Sequence, residues 1–210
     1  MNNIIDVLNW RYATKRMNGE KVPDEKIETI LDAIRLAPSS MGLQPYSVLV
    51  ISDEETKKKL SPAAMNQPQI IESSHLVIFA AWSDIKLSHI KEFIEDTAKT
   101  RGISVENLAG FEDMMASHVE SLSVDERVKW AREQAHIALG VGLVAAASLK
   151  VDATPMGGFS PQMVDEVLGL KEKGLTSAIF MALGYRDEEN DKYVKLKKVR
   201  REKEKLFIRI

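Results

Sequence analysis

The chain has 210 residues, of which 44% are hydrophobic, with a formal net charge of −2 at pH 7 and no cysteine. Length and apolar fraction suit one globular domain over residues 1–210 with a core of its own, and the near-balanced charge argues against a dedicated nucleic-acid binder. The lack of cysteine excludes disulfides, thiolate nucleophiles, Cys-ligated zinc and iron–sulfur clusters, and it fits a reducing compartment. Residues 2–12 carry Ile4, Ile5, Leu8 and Tyr12 at helical spacing. Met1–Asp6 shows no basic-then-apolar leader. Pro23-Asp24-Glu25 opens a second helix with acids in its first turn, and Ile27, Ile30, Leu31 and Ile34 form its stripe up to Pro38. Tyr46 to Ile51 reads as a strand whose unbroken apolar run predicts burial on both faces.

Asp53 to Leu60 is a short charged helix, and His75 to Trp82 a second buried strand. Residues 84–121 read as helical but weakly patterned, with a break near Gly102. Ser123 and Glu126 form a capping box that opens a long helix to about Lys150. Its run from Ile137 to Leu149 is too short to span a membrane. Ser160-Pro161 starts a helix to Leu168, and Leu175 to Leu183 is a third strand. Beyond Asp187 the sequence is highly charged, then apolar at Leu206-Phe207-Ile208. That triplet reads as a final strand, docking either on a sheet of another subunit or within the same chain. Helices interleaved with three strands predict mixed α and β around a small sheet.

Four segments carry candidate chemistry. Arg11 and Lys15 lie on one face if the chain is extended there, which suits either a phosphate monoester or a solvated charged stretch. Pro38-Ser39-Ser40-Met41-Gly42 offers hydroxyls and free N–H groups to a polyol and a phosphate, or is a plain helix-to-strand loop. Gln44-Pro45 then forces an extended path into the strand. Gly157-Gly158 lets a backbone approach a ligand closely, or simply makes a tight turn. Lys195 to Arg201 is either a solvated basic tail or a source of cations for an anionic ligand. It lacks the interleaved aromatics of a nucleic-acid patch. Gly140-Val141-Gly142 sits inside a helix without a third glycine, so it is no dinucleotide fingerprint. The four histidines show no metal spacing, and there is no Gly-x-Ser-x-Gly elbow for hydrolase chemistry.

The order of these segments resembles the FMN-dependent nitroreductase family, in particular its oxygen-insensitive NAD(P)H nitroreductase and dihydropteridine reductase branch. The likeness rests on Arg11-Tyr12-Ala13-Thr14-Lys15, Pro38-Ser39-Ser40 with Gln44-Pro45, Asn66 ahead of Ser74-His75, and Gln134 in the long helix. It continues through Pro155-Met156-Gly157-Gly158-Phe159, Leu183-Gly184-Tyr185 and Lys198-Val199-Arg200. The resemblance implies an α+β, nitroreductase-like fold: a central, mostly antiparallel sheet flanked by helices, with a domain-swapped C-terminal arm in a cytoplasmic homodimer. It implies FMN as cofactor, NADH or NADPH as electron donor, and small electron-poor acceptors, with no metal, nucleic acid or membrane partner.

Carried onto this sequence, Arg11, Lys198 and Arg200 would hold the FMN phosphate, with Tyr12 and Ala13 beside it. Lys15 would sit at the N1/O2 side of the ring and tune it, with Asn66 on the pyrimidine edge and Gln69 where a lysine often reaches the flavin. Pro38, Ser39 and Ser40 would come from the other subunit, Gly42 would belong to the cofactor site as well, and Gln134 would lie near the ribityl chain or ring. Pro155, Met156, Gly157 and Gly158 would bring backbone groups near N5, while Met41 and Phe111 would face the acceptor. Ala13, Gly42, Gln69 and Gly157 depart from the serine, asparagine, lysine and acid frequent in the family, each removing a contact or charge. The implied reaction is ping-pong hydride transfer through flavin N5. The alternatives are a specialised enone or quinone reductase and a non-catalytic flavin-binding protein.

Overall fold

The computed structural model describes residues 3–210. The start of the first predicted helix at Asn2 therefore lies outside the described residues. Helix α1 spans Ile4–Trp10, and the Asn3 side chain caps it by accepting from the Ile5 N–H. Of its apolar residues only Val7 is buried, while Ile4 and Ile5 remain 52% and 57% exposed. Helix α2 (Asp24–Arg35) buries Ile27, Ile30 and Ile34 of the expected stripe, while Leu31 is half-buried. Helix α3 (Glu54–Leu60) is capped by Asp53, whose carboxylate accepts from the Thr56 N–H at 2.7 Å. A five-residue helix that the pattern did not disclose, α4 (Pro68–Glu72), follows.

The weakly patterned stretch resolves into α5 (Leu87–Arg101), closed by Gly102 in the left-handed conformation, and α6 (Ala109–Glu120). Gly102 has φ +65°, which no Cβ opposes, so the break falls where the sequence placed it. The long helix α7 (Val124–Ser148) opens with the predicted Ser123–Glu126 capping box. Helix α8 (Pro161–Leu168) starts at the Ser160 cap with Pro161 in its first turn.

Four antiparallel strands form the sheet: β1 (Tyr46–Ile51), β2 (His75–Trp82), β3 (Asp152–Met156) and β4 (Leu175–Gly184), in the order β1-β2-β4-β3. Strand β3 is a fourth strand that the sequence pattern did not disclose. Its Pro155 is tolerated because β3 is an edge strand, where a missing ladder donor costs little. The burial predicted for β1 on both faces is also corrected. It is the other edge, most of its residues are half-buried, and Val50 is exposed.

The two central strands divide their side chains between two layers, as a period of two requires. Val77, Phe79, Ala81, Ile179, Met181 and Leu183 face α2, α5, α6 and α7. Leu76, Ile78, Phe180 and Ala182 face the other way, toward Leu60, Ile70 and Val164 of α3, α4 and α8. The fold is α+β, a helical layer on either side of one sheet. Beyond β4 the chain runs back past α1 and ends in a short helix, α9 (Lys203–Leu206). Phe207 to Ile210 pair with no strand of this chain, so the within-chain strand proposed for the terminal triplet is not formed. Ile208 is 87% exposed.

Candidate functional site

The segment after α1 is held extended by long-range bonds. The Thr14 carbonyl accepts from the Thr154 hydroxyl of β3 at 2.7 Å, and the Thr14 hydroxyl donates to Asp152 at 3.3 Å. Asp152 is buried and takes a bidentate ion pair from Arg186, with contacts from 2.6 Å. Arg186 lies over the rings of Trp10 and Tyr12 at 4.3 and 4.8 Å. Burial works against its charge, but Asp152 outweighs that, so its pKa stays above the ordinary arginine value.

Three cations meet at this segment. Lys198 Nζ donates to the carbonyls of Leu8, Asn9 and Arg11 at the C-terminal end of α1, where the helix dipole favours a positive charge. Those three carbonyls match all three ammonium donors, so Lys198 acts on a neighbouring anion through its field in this arrangement. Burial first, then repulsion from Arg11 and Arg200, lowers the Lys198 pKa. Burial and then Arg200 likewise lower that of Arg11, with Asp152 opposing. Arg11 Nε is buried and makes no hydrogen bond among the described residues. A group of like charges with a desolvated, unmatched donor is poorly satisfied by the protein alone.

Lys15 follows, with an exposed side chain in a cavity of ≈ 380 Å³ lined also by Gln67, Gln69, Asp191 and Tyr193. Gln69 is 2% exposed, and its Oε1 has no partner among the described residues. Asn66 is in a turn with Met65, both at positive φ, 52° and 56°. The next residue, Gln67, donates to the Gly158 carbonyl at 3.2 Å, which joins this turn to the glycine pair. Gly157 and Gly158 are exposed just past β3. A side chain on Gly158 would crowd the Met65 methyl at 3.1 Å. Pro155 is half-buried, and the Met156 side chain is turned into the core, which leaves only its backbone for a ligand.

A second group forms elsewhere. The Ser40 N–H donates to buried Gln134 of α7 at 2.8 Å, and the Ser39 hydroxyl accepts from the Gln44 N–H at 3.0 Å. Met41, at φ 57°, and Gly42, at φ 78°, make the turn that Pro38 leads into. Met41, Gly42 and Phe111 line one cavity of ≈ 920 Å³, with Phe93 packed edge-on against Phe111 at 6.4 Å.

The expected site residues thus sort into two sets. Arg11, Tyr12, Ala13, Lys15, Asn66, Gln69, Pro155 to Gly158, Lys198 and Arg200 belong to one connected surface. Ser39, Ser40, Met41, Gly42, Phe111 and Gln134 belong to another. No hydrogen bond or shared cavity joins the two among the described residues. Sequence reasoning missed Thr14, Asp152, Arg186 and Asp191, which hold the first set in place. Asp152 lay in a stretch given no element and Asp191 in a run of surface charges. No group of His, Asp and Glu among the described residues could hold a metal ion, and no described helix is long and apolar enough to cross a membrane.

Comparison with known proteins supplies the family. The model of the nitroreductase family matches residues 8–185. The Bacillus subtilis protein YfkO, provisionally named an NAD(P)H nitroreductase, is 33% identical over 195 residues, covering 87% of this chain and 88% of that protein. The major NAD(P)H-flavin oxidoreductase of Aliivibrio fischeri is 29% identical over 209 residues, with 94% of each chain covered. Among solved structures, one from Exiguobacterium sibiricum, provisionally described as a nitroreductase and determined in complex with FMN, superposes with a TM-score of 0.83. It is 20% identical and covers 100% of this chain and 98% of that one. The matched span includes both edges of the sheet, the Arg11–Lys15 segment and the glycine turn, and the chain belongs to the nitroreductase family.

Proposed function

We propose that this chain is an FMN-dependent NAD(P)H oxidoreductase of one FMN-binding domain. It reduces nitroaromatics, quinones or related electron-poor acceptors by a ping-pong cycle, as a homodimer with two sites. The observation that carries the proposal is the meeting of Arg11, Lys198 and Arg200 around a buried guanidinium N–H without a partner. A phosphate monoester is the ligand such a cluster fits. The flavin named for the Aliivibrio relative and the FMN of the Exiguobacterium structure support the choice of ester.

The Arg11 guanidinium binds the phosphate and Arg200 adds charge, while Lys198 fixes the α1 carbonyls below it. Lys15 reaches the N1/O2 edge, where a cation stabilises negative charge gained on reduction. Gln69 and Asn66 meet the pyrimidine edge, and the unmatched Gln69 Oε1 suits an imide N–H. Gly157 and Gly158 offer backbone without side chains at the ring. Bound FMN supplies the redox chemistry, accepting hydride at N5 from the nicotinamide and passing it to the acceptor.

The second set of residues reaches the same ligand only from another copy. Pro38, Ser39 and Ser40 of the partner subunit line the polyol side, and Met41 and Phe111 line the acceptor mouth. Exposed Ile4, Ile5 and Leu8 on α1 give that copy an apolar surface to cover, and exposed Leu206, Phe207 and Ile208 give it an arm to receive. The test is an anaerobic titration of the FMN-loaded protein with NADH and with NADPH. Loss of the 450 nm flavin band and its return on adding a quinone are expected. A protein that takes up no FMN excludes the proposal, and one whose bound FMN stays oxidised is a flavin-binding protein only.

A further inference from the structure

Asp191 is 3% exposed, yet it belongs to a stretch of sequence that is otherwise surface charge. Its Oδ2 accepts from the backbone N–H of Lys15 at 2.7 Å and from the Tyr12 hydroxyl at 2.9 Å. Its Oδ1 accepts from the Tyr193 N–H at 2.9 Å, and its own N–H donates to the Asp187 carbonyl at 2.9 Å. One buried carboxylate therefore ties two points on the Tyr12–Lys15 segment to the loop beyond β4, across 176 and 179 residues of sequence. Burial opposes its charge, but the three donors outweigh that, and its pKa lies below the ordinary aspartate value. The Tyr12 hydroxyl is correspondingly pushed up, by burial and by its bond to Asp191.

The bond to Lys15 is the informative one. Thr14 is already fixed by Asp152 and Thr154, and the Tyr12 ring by Arg186. Among the described residues Asp191 makes the only hydrogen bond to the backbone of Lys15 itself, between Thr14 and an Arg16 whose carbonyl accepts from the Asp187 N–H at 3.0 Å. Asp191 and Lys15 also line the same cavity, so the carboxylate acts where the ammonium is delivered. An electrostatic group must be placed to within about 0.5 Å to be useful. A lysine side chain searches its rotamers from wherever its backbone stands, so anchoring that backbone fixes the origin of the search.

We propose that Asp191 is the positioning residue for Lys15: it holds the Lys15 backbone so that the ammonium reaches the pyrimidine edge of the flavin. The proposal rests on the FMN assignment above. A loop staple of purely structural value would instead act on stability alone and act equally with or without the lysine side chain.

The experiment is a double-mutant cycle on FMN-loaded protein. Asp191→Glu keeps the charge but adds a methylene, so the carboxylate cannot bridge Tyr12 and Lys15 at their present spacing. The midpoint potential of bound FMN, by anaerobic dye equilibration, and FMN affinity, by fluorescence quenching, are read in four proteins: the parent, Asp191→Glu, Lys15→Ala and the double variant. Asp191→Glu should lower the potential by at least half the shift caused by Lys15→Ala, and it should change nothing further in the Lys15→Ala background. An equal shift in both backgrounds, or a potential unmoved by Asp191→Glu while FMN still binds, overturns the proposal and leaves the FMN assignment standing. A parent that binds no FMN overturns both. Should Asp191→Glu not fold, Tyr12→Phe removes one of the two Oδ2 partners. It should then give a smaller shift of the same sign that also depends on Lys15, and a silent Tyr12→Phe overturns the proposal.

Discussion

Replacing Arg11 separates a binding site from a structural feature, because the two readings predict opposite signs. Arg11→Met keeps the apolar stem and removes the guanidinium. In the protein alone, the substitution deletes a buried N–H without a partner and a charge repelled by Arg200. A buried unmatched donor costs about 1–3 kcal/mol, partly offset here by attraction to Asp152. The FMN-free variant should therefore be as stable as the parent or more so. Its thermal midpoint should rise by roughly 2–4 °C for each kcal/mol recovered. In the complex, the same substitution deletes a charge-assisted hydrogen bond to the phosphate, worth about 1.5–3 kcal/mol. That corresponds to FMN dissociation roughly 10- to 150-fold weaker. Differential scanning fluorimetry without FMN and fluorescence titration with it measure the two quantities. A lower midpoint with FMN affinity within twofold of the parent would refute the reasoning, since Arg11 would then be a structural arginine.

Further outcomes follow from single features. Gly142 lies where α7 meets α2, and a Cβ there would come 2.9 Å from Ile34 Cγ1 and 3.3 Å from the Met181 methyl. Gly142→Ala should destabilise by about 1 kcal/mol, the overpacking cost less the helix gain, as read by urea unfolding. Gly140 on the same helix has open space, so Gly140→Ala should stabilise by up to about 1 kcal/mol; a loss would show that another surface covers this face in solution. Burial first, then Lys21 and Lys57, holds the His75 pKa below the ordinary 6.5. The folded state thus keeps His75 neutral, and its contribution is complete above pH 6.5 and is lost as the pH falls from there through the lower folded value. Unfolding midpoints should drop between pH 7 and 5, and less so in His75→Asn; equal slopes would contradict this. Lys15→Ala should slow reduction of bound FMN by NAD(P)H roughly 10²-fold in stopped flow, the usual cost of one charge-stabilising donor, while an unchanged rate would remove Lys15 from its assigned role.

Much of the scaffold could be read locally. Strands β2 and β4 announce themselves as continuous apolar runs because helices cover both faces. The Ser123 and Ser160 caps and the Gly102 break rest on short-range chemistry. Strand β3 escaped because five residues containing Asp152, Thr154 and Pro155 carry no strand periodicity; their pairing with β4 decides the matter. The run in β1 overstated its burial, since periodicity cannot tell an edge from a central strand. The site was harder still. Arg11 and Lys198 are 187 residues apart and meet only because the chain beyond β4 returns to α1. Nothing in the basic run itself distinguishes Lys198 and Arg200 from neighbouring lysines, so only the family resemblance picked them out. Asp191 lacked even that signal. Its importance comes from burial, which a charged stretch of sequence conceals.

The claim on which the rest depends is that the cluster of Arg11, Lys198 and Arg200 holds the phosphate of the flavin, Arg11 by contact and the other two by their charge. Comparing FMN with riboflavin tests it most directly, because the two differ only in that ester. Equilibrium titration at low and at moderate salt should give FMN a dissociation constant at least about 100-fold below that of riboflavin, equivalent to roughly 3 kcal/mol. Added salt should narrow that gap. Equal affinities for the two, unmoved by salt, would contradict it.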